Sequence, residues 1–291
     1  MAEQNVGNTA LGAAVCRLIE QYQPEETRLF TDPVLRDLVG APVRMLMRLV
    51  FVRNFTVKQT DTALPGLYGA QVCRARYIDD AVEAALSYGV GQVVILGAGL
   101  DTRPYRLPGI ERAKTFEVDL PFVQEGKVKK LRKRFGRLPE NVTYVPIDFN
   151  AESLEAVLTK TAFDTSRPAI FIWEGVTQYL PRDAVRRTLT VIGRSAPGSV
   201  LVFTYVLKSI IERQSDIPGA DRMMNRVEKS KAPWLFGLDP SEVRTFLQPF
   251  NLQVMEDVGN ADYQARYLKP LRRQLAVSEA ERIVRATVVR P

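Results

Sequence analysis

The sequence predicts an α/β fold: a mostly parallel twisted sheet with helices on both faces, an antiparallel edge and a helical amino-terminal cap. Three observations predict it. From Val93 onward, short β-branched or aromatic runs alternate with helix-length stretches, the pattern of βαβ crossovers. Runs such as Val93-Val-Ile-Leu96 and Ala169-Ile-Phe-Ile-Trp173 are continuously apolar, as central strands buried on both sides must be. The first 90 residues instead place apolar side chains at three-and-four spacing, the helical period.

The elements follow in order. Helices are expected over 10–22, 33–38, 43–55 and 68–88. No repeat or low-complexity linker follows them, so residues 1–90 read as a cap integrated with the core of 91–291. Strands are expected at 93–96, 115–118, 142–147, 169–173 and 200–206, with helices at 121–135, 153–159 and 182–195 between them. The polar, Met-containing stretch 208–235 lacks strand character and reads as a lid-like insertion. A helix at 240–247 and late strands at 252–257 and 282–289, with 264–275 between them, complete the chain and supply the antiparallel edge.

Composition excludes several chemistries. The chain has 291 residues, 40 Lys plus Arg against 33 Asp plus Glu, a net charge of +7, and no histidine. Without imidazole there is no Ser-His-Asp or Cys-His nucleophile, no His-ligated zinc and no imidazole acid or base. Cys16 and Cys73 are too few for a disulfide framework or a thiolate metal site, so no metal is expected. They read as buried thiols of a reducing compartment. The first residues carry neither a basic segment nor an apolar core, so a cytoplasmic chain without a signal peptide is expected. Met45 to Phe55, broken by Arg48 and Arg53, is too short to span a bilayer. It is expected to pack on its own protein, with no stable membrane insertion. In the basic run Lys127 to Arg137, Val128, Leu131 and Phe135 recur at helical spacing. That describes an amphipathic helix with a solvated cationic face rather than a nucleic-acid groove.

The chemistry is concentrated at the strand ends. The first strand runs into Gly97-Ala-Gly99, which lets a ligand lie against the backbone at the carboxyl edge of the sheet. A dinucleotide loop usually adds a third glycine; here that position is Thr102, and Asp101 would set a negative charge beside a pyrophosphate. S-adenosylmethionine, with an ammonium, a sulfonium and a carboxylate but no phosphate, tolerates such a neighbour. Asp119, ending the second strand 20 residues after Gly99, suits a pair of ribose hydroxyls. Asp148 and Phe149 end the third strand, positioned for an adenine amino group and ring. Glu174 stands where the fourth strand becomes loop. The crossover rule puts these three carboxylates on one edge.

Leu96-Gly-Ala-Gly-Leu-Asp-Thr-Arg-Pro-Tyr-Arg-Leu107, Glu117-Val-Asp-Leu-Pro121 and Trp173-Glu-Gly-Val, followed by Tyr179-Leu180, resemble the leucine carboxyl methyltransferase superfamily. The similar branch is that of bacterial S-adenosylmethionine-dependent methyltransferases that includes tetracenomycin-type polyketide O-methyltransferases. The resemblance covers about Tyr68 to Thr287, including Arg266-Tyr-Leu and Glu281-Arg-Ile-Val-Arg. It implies a Rossmann-like class I methyltransferase fold, S-adenosylmethionine as cofactor and Arg74 holding the methionine carboxylate, with Arg76 as the other register. It also implies the glycine loop at Gly97 and Gly99, the ribose at Asp119, adenine at Asp148 and Phe149, and the methionine moiety near Glu174. Gln178 stands where relatives often carry Met or Leu, a departure that bears on the acceptor pocket.

The reaction so implied is in-line displacement at a sulfonium methyl by an acceptor oxygen. A carboxylate is already ionised at neutral pH, whereas a phenol or alcohol usually needs a base. The lack of histidine therefore tilts the expectation toward a carboxylate of a small molecule or peptide, with Tyr179 and Tyr205 as positioning candidates and no catalytic base assigned. Competing readings are an NAD-dependent oxidoreductase, a cofactor-binding module without transfer, and an RNA methyltransferase. Oligomeric state is not legible.

Overall fold

The computed structural model describes residues 2–230 and 232–290; Met1, Pro291 and Lys231 of the expected insertion lie outside the described residues. The chain begins with α1 (Ala2–Glu20), α2 (Leu35–Leu38), α3 (Ala41–Leu46), α4 (Val50–Ala63) and α5 (Leu67–Ser87). Strands and helices then alternate through β1 (Gln92–Leu96), β2 (Lys114–Asp119), α6 (Pro121–Phe135), β3 (Val142–Pro146), α7 (Leu154–Leu158), β4 (Ile170–Trp173), α8 (Arg182–Ile192) and β5 (Val200–Val206). There follow α9 (Lys208–Ile211), α10 (Ala220–Lys229), α11 (Val243–Leu247), β6 (Leu252–Val258), α12 (Asn260–Tyr263) and β7 (Glu281–Val288).

The seven strands form one sheet in the order β3-β2-β1-β4-β5-β7-β6. The first five run parallel, and β7 is inserted antiparallel between β5 and β6. The expected late strand pair is therefore present, with a bulge between Val254 and Glu256. Strand order reverses between β1 and β4. At such a switch point the two following connections leave toward opposite sides and open a crevice beyond the carboxyl ends of the strands.

The continuous apolar runs are explained by two cores. Val93 and Ile95 face the core shared with α1 and α5, while Val94 and Leu96 face the core shared with α7, α8 and α11. Each residue of β1 is therefore buried whichever way it points. α6 covers β2 and β3 through Leu131, which packs with Val34 and Leu38 of the cap.

One expectation changes. Residues 43–55 do not form one helix: α3 ends at Leu46 and α4 begins at Val50, with Leu49 extended between them at φ −85° and ψ 120°. Arg53 Nη1 donates to Met47 O at 2.7 Å and Arg48 O at 2.9 Å, capping the carbonyls freed by the break. The segment packs on its own protein through one face, Val43, Met47 and Val52, while Met45, Phe51 and Phe55 on the other are exposed. The insertion contains helical structure, α9 and α10, held by Met223, Met224 and Val227 against Val206 and Ala280.

The last loop closes on α5. Ser278 N donates to Gly66 O at 2.9 Å, and a Cβ on Gly69 would overlap the Ala276 carbonyl oxygen. Backbone on both sides leaves no flexible atom to yield. Gly69→Ala is therefore expected to destabilise the fold by about 1–3 kcal/mol, read as a lower urea midpoint with an unchanged slope.

Candidate active site

β1 and β4 deliver the two loops that border the crevice. Gly97 leaves β1 at φ +71°, a conformation L side chains rarely adopt, and a Cβ there would overlap Val176 Cγ2 of the β4 loop. The glycine thus permits the two loops to approach each other. Gly99 N donates to Asp119 Oδ2 at 2.5 Å, and Leu120 N to Asp119 Oδ1 at 2.7 Å. Asp119 is buried at the end of β2. Burial raises its pKa, and the two backbone amides oppose the rise. Each carboxylate oxygen retains a further lone pair for a ligand hydroxyl.

Behind the loop lies a buried ion-pair network centred on Arg103. This side chain is fully buried. Its Nε pairs with Asp79 Oδ1 of α5 at 2.8 Å, and its Nη1 with Asp101 Oδ2 at 2.5 Å and Glu174 Oε2 at 2.8 Å. Arg106 adds contacts to Asp79 at 2.8 Å and Asp32 at 3.5 Å. Burial by itself would push Glu174 up, but Arg103 and then Arg74 hold it well below the ordinary carboxylate range. Asp101 is likewise held low against burial, chiefly by Arg103.

Arg74 reaches the same carboxylate from α5. Its Nε donates to Glu174 Oε1 at 2.9 Å, Nη1 to Glu281 Oε1 at 2.6 Å and Nη2 to Gln71 Oε1 at 2.9 Å. A guanidinium has five N–H donors, so these three bonds leave two. Gly175 keeps the space beside it open: a Cβ there would lie 3.6 Å from Arg74 Nη2. Arg76 points elsewhere, to Asp80 at 2.8 Å and Leu29 O at 3.0 Å. The negative charge that Asp101 was expected to set beside a ligand is turned inward: both its oxygens meet Arg103, Oδ1 the backbone N at 2.7 Å.

Other candidates divide. Asp148, half-buried after β3, accepts at Oδ1 from Asn150 N at 2.9 Å and Asn150 Nδ2 at 3.2 Å. Phe149 packs 6.4 Å from the Trp173 ring, centroid to centroid, so its ring stands beside the end of β4. Tyr179 is half-buried in the turn Thr177–Tyr179 that follows Glu174. Gln178 is buried, its Nε2 donating to Gly175 O at 3.2 Å while Oε1 has no partner. Its carbonyl accepts from Leu235 N at 2.6 Å, tying the insertion to the β4 loop. Tyr205 is not brought to the crevice. Strand alternation sends it to the face opposite Thr204 and Val206, where its hydroxyl donates to Asp257 Oδ2 at 2.8 Å.

A family model for leucine carboxyl methyltransferase matches residues 10–193, more than half of the chain. The chain belongs to the leucine carboxyl methyltransferase family. Relatives named as candidate S-adenosyl-L-methionine-dependent methyltransferases agree. One from Mycolicibacterium gilvum is 37% identical over 69% of this chain and 66% of its own length. One from Streptomyces coelicolor is 33% identical over 79% and 81%, and one from Mycobacterium avium 31% identical over 98% and 90%. The match thus spans just under two thirds of the Mycolicibacterium protein's length. Among solved structures, a candidate methyltransferase from Thermobifida fusca superposes with a TM-score of 0.57 at 18% identity, covering 88% of this chain and 94% of that one. A DUF574 family protein from Streptomyces avermitilis gives 0.57 at 17%, covering 82% and 91%. Those likenesses show the fold, the Rossmann-like architecture of methyltransferases.

Within this family member, sequence reasoning assigned no role to Arg103, Asp79 or Glu281. The available signal was Asp101-Thr-Arg103, charged residues directly after a glycine loop in an otherwise apolar setting. Glu174 and Asp101 lie below their ordinary values of 4.5 and 3.8. Their pairing therefore stabilises fully above that range and is lost as pH falls through the lowered folded values. Arg103→Met leaves buried Asp101 without an ion-pair partner, and leaves Asp79 and Glu174 with Arg106 and Arg74 alone. It is expected to cost about 3–5 kcal/mol at neutral pH, with the deficit to wild type narrowing on acidification in urea titrations.

Proposed function

We propose that this chain binds S-adenosylmethionine in the β1–β4 crevice and transfers its methyl group to an acceptor oxygen, in the first instance a carboxylate of a small molecule or peptide. The observation that carries the reading is the charge gathered around the crevice. Arg74, Arg103 and Arg106 face Asp32, Asp79, Asp101, Glu174 and Glu281. Arg17 adds a fourth cation, its Nη2 on Leu100 O at 2.7 Å. With Asp119, four cations stand against six carboxylates, and the net negative charge complements the net positive charge of the cofactor. A pyrophosphate, itself an anion, would meet a charge of its own sign. It would also lack a helix amino terminus, because β1 is followed by the short turns Arg103–Tyr105 and Ile110–Arg112 rather than by an α-helix. The oxidoreductase reading is disfavoured for both reasons.

The residues fit the cofactor part by part. Arg74 would hold the methionine carboxylate with its two remaining donors, and Glu174 would face the ammonium side of the same moiety. Asp119 would accept from the ribose hydroxyls, with the Gly97 to Gly99 backbone beneath. Asp148, through its second oxygen, and Phe149 would meet the adenine. When bound, the cofactor supplies an electrophilic methyl on a sulfonium. The protein's own residues orient it, exclude water and align the acceptor.

The choice of acceptor rests on the absence of a base. The chain has no histidine, and Glu174, held ionised by two arginines, is a weak proton acceptor. An acceptor that is ionised on arrival avoids the need. Tyr179, on the loop after Glu174, would contact it. The insertion, joined to that loop at Gln178, would cover it.

Calorimetry with S-adenosylhomocysteine tests the site. Asp119→Ala and Arg74→Lys are each expected to weaken binding about tenfold or more, about 1.4 kcal/mol. Thermal stabilisation by NADH but not by S-adenosylhomocysteine would sink the reading. Labelled-methyl transfer across carboxylate, phenol and alcohol acceptors tests the rest: labelling confined to base-labile esters supports the carboxylate, and labelling of phenols alone removes it.

A further inference from the structure

Most of the exposed large apolar side chains among the described residues lie in one segment, whereas Tyr88, Phe135, Leu235 and Met255 are scattered singly. Among the described residues, Met45, Leu46, Leu49, Val50, Phe51 and Phe55 are all exposed, Met45 by 73% and Phe51 by 70%. They occupy α3, the beginning of α4 and the elbow between. The segment is nevertheless anchored: Val52 and Val57 pack on the core beneath, and Ala63 joins the cluster around Met223. The exposed face is thus additional to the one that holds α4 in place. A contiguous apolar patch of this kind marks an interaction surface.

Its charge selects the partner. From Ala41 to Thr60 the chain carries Arg44, Arg48, Arg53 and Lys58 and neither Asp nor Glu. Arg44 pairs with Asp37 at 3.2 Å and Arg53 folds back on the elbow carbonyls, while Arg48 and Lys58 are exposed beside the apolar residues. Apolar side chains flanked by cations, on helices that lie along the surface, match the interface of an anionic bilayer. A second copy fits less well, because a two-fold contact through this face would bring the same cations together.

We propose that the α3–α4 elbow docks this protein reversibly on an anionic lipid surface. Phe51, Phe55 and Met45 would enter the acyl boundary, and Arg48 and Lys58 would face the phosphates. The docking is peripheral, since among the described residues no helix is long and apolar enough to cross a membrane. It holds whether or not the crevice transfers a methyl group.

Co-sedimentation of the full chain with vesicles tests it, comparing phosphatidylcholine alone with phosphatidylcholine containing phosphatidylglycerol. Wild type is expected to bind the anionic vesicles about tenfold or more tightly than the neutral ones at low salt. Phe51→Ser with Phe55→Ser should abolish binding to both. Arg48→Glu with Lys58→Glu should remove the preference. Melting temperatures should match wild type, because these side chains are on the surface. Wild type remaining in the supernatant with both vesicles overturns the proposal, as does undiminished binding by the double Phe variant at wild-type stability. A wild-type dimer that the Phe variant converts to monomer, without vesicle binding, assigns the face to a second copy and equally overturns it.

Discussion

The architecture around the crevice depends on one buried cation. A fully buried guanidinium is tolerated only when its charge and hydrogen bonds are met, and Arg103 is met by carboxylates from three separate places: Asp79 on α5, Asp101 in the glycine loop and Glu174 after β4. Meeting that requirement ties the amino-terminal helices to both strand ends that border the switch point. Arg74 then completes the arrangement from α5, linking Glu174 to Glu281 at the start of the antiparallel β7. The helical cap and the late strand pair, distant in sequence, thus meet at one carboxylate.

The same network sets the chemistry available. A carboxylate held ionised by two guanidiniums is a good electrostatic partner for a cationic ligand and a poor proton acceptor. The crevice therefore favours binding and orientation over acid–base work, in keeping with a chain that has no imidazole. Membership of the leucine carboxyl methyltransferase family is consistent with this, because methyl transfer from a sulfonium asks the protein chiefly for alignment and desolvation.

Several parts were legible because they depend on local pattern. Continuously apolar runs mark strands covered on both sides, and the carboxyl ends of parallel strands share an edge, so Asp119 and Glu174 could be placed near the glycine loop without coordinates. Side-chain direction over longer range was not legible. Tyr205 stands near the carboxyl end of an apolar strand, close in sequence pattern to Glu174, yet strand alternation turns it to the far face and into Asp257. Asp101 stands directly after the glycine loop, and only the position of Arg103 reveals that it points inward. In Met45 to Phe55 the apolar content was visible, but whether anything covers it depends on how α3 and α4 bend against the core.

What the sequence by itself determined was the alternation of elements, the parallel sheet, the glycine loop and the exclusion of imidazole chemistry, since each follows from residue type and local spacing. Only the tertiary structure decided that Arg74 rather than Arg76 reaches Glu174, that Arg103 is the hub of the site, and that the elbow of the cap is open. These depend on pairings across up to 207 residues. Burial, which makes such ion pairs obligatory, exists only once the chain has folded.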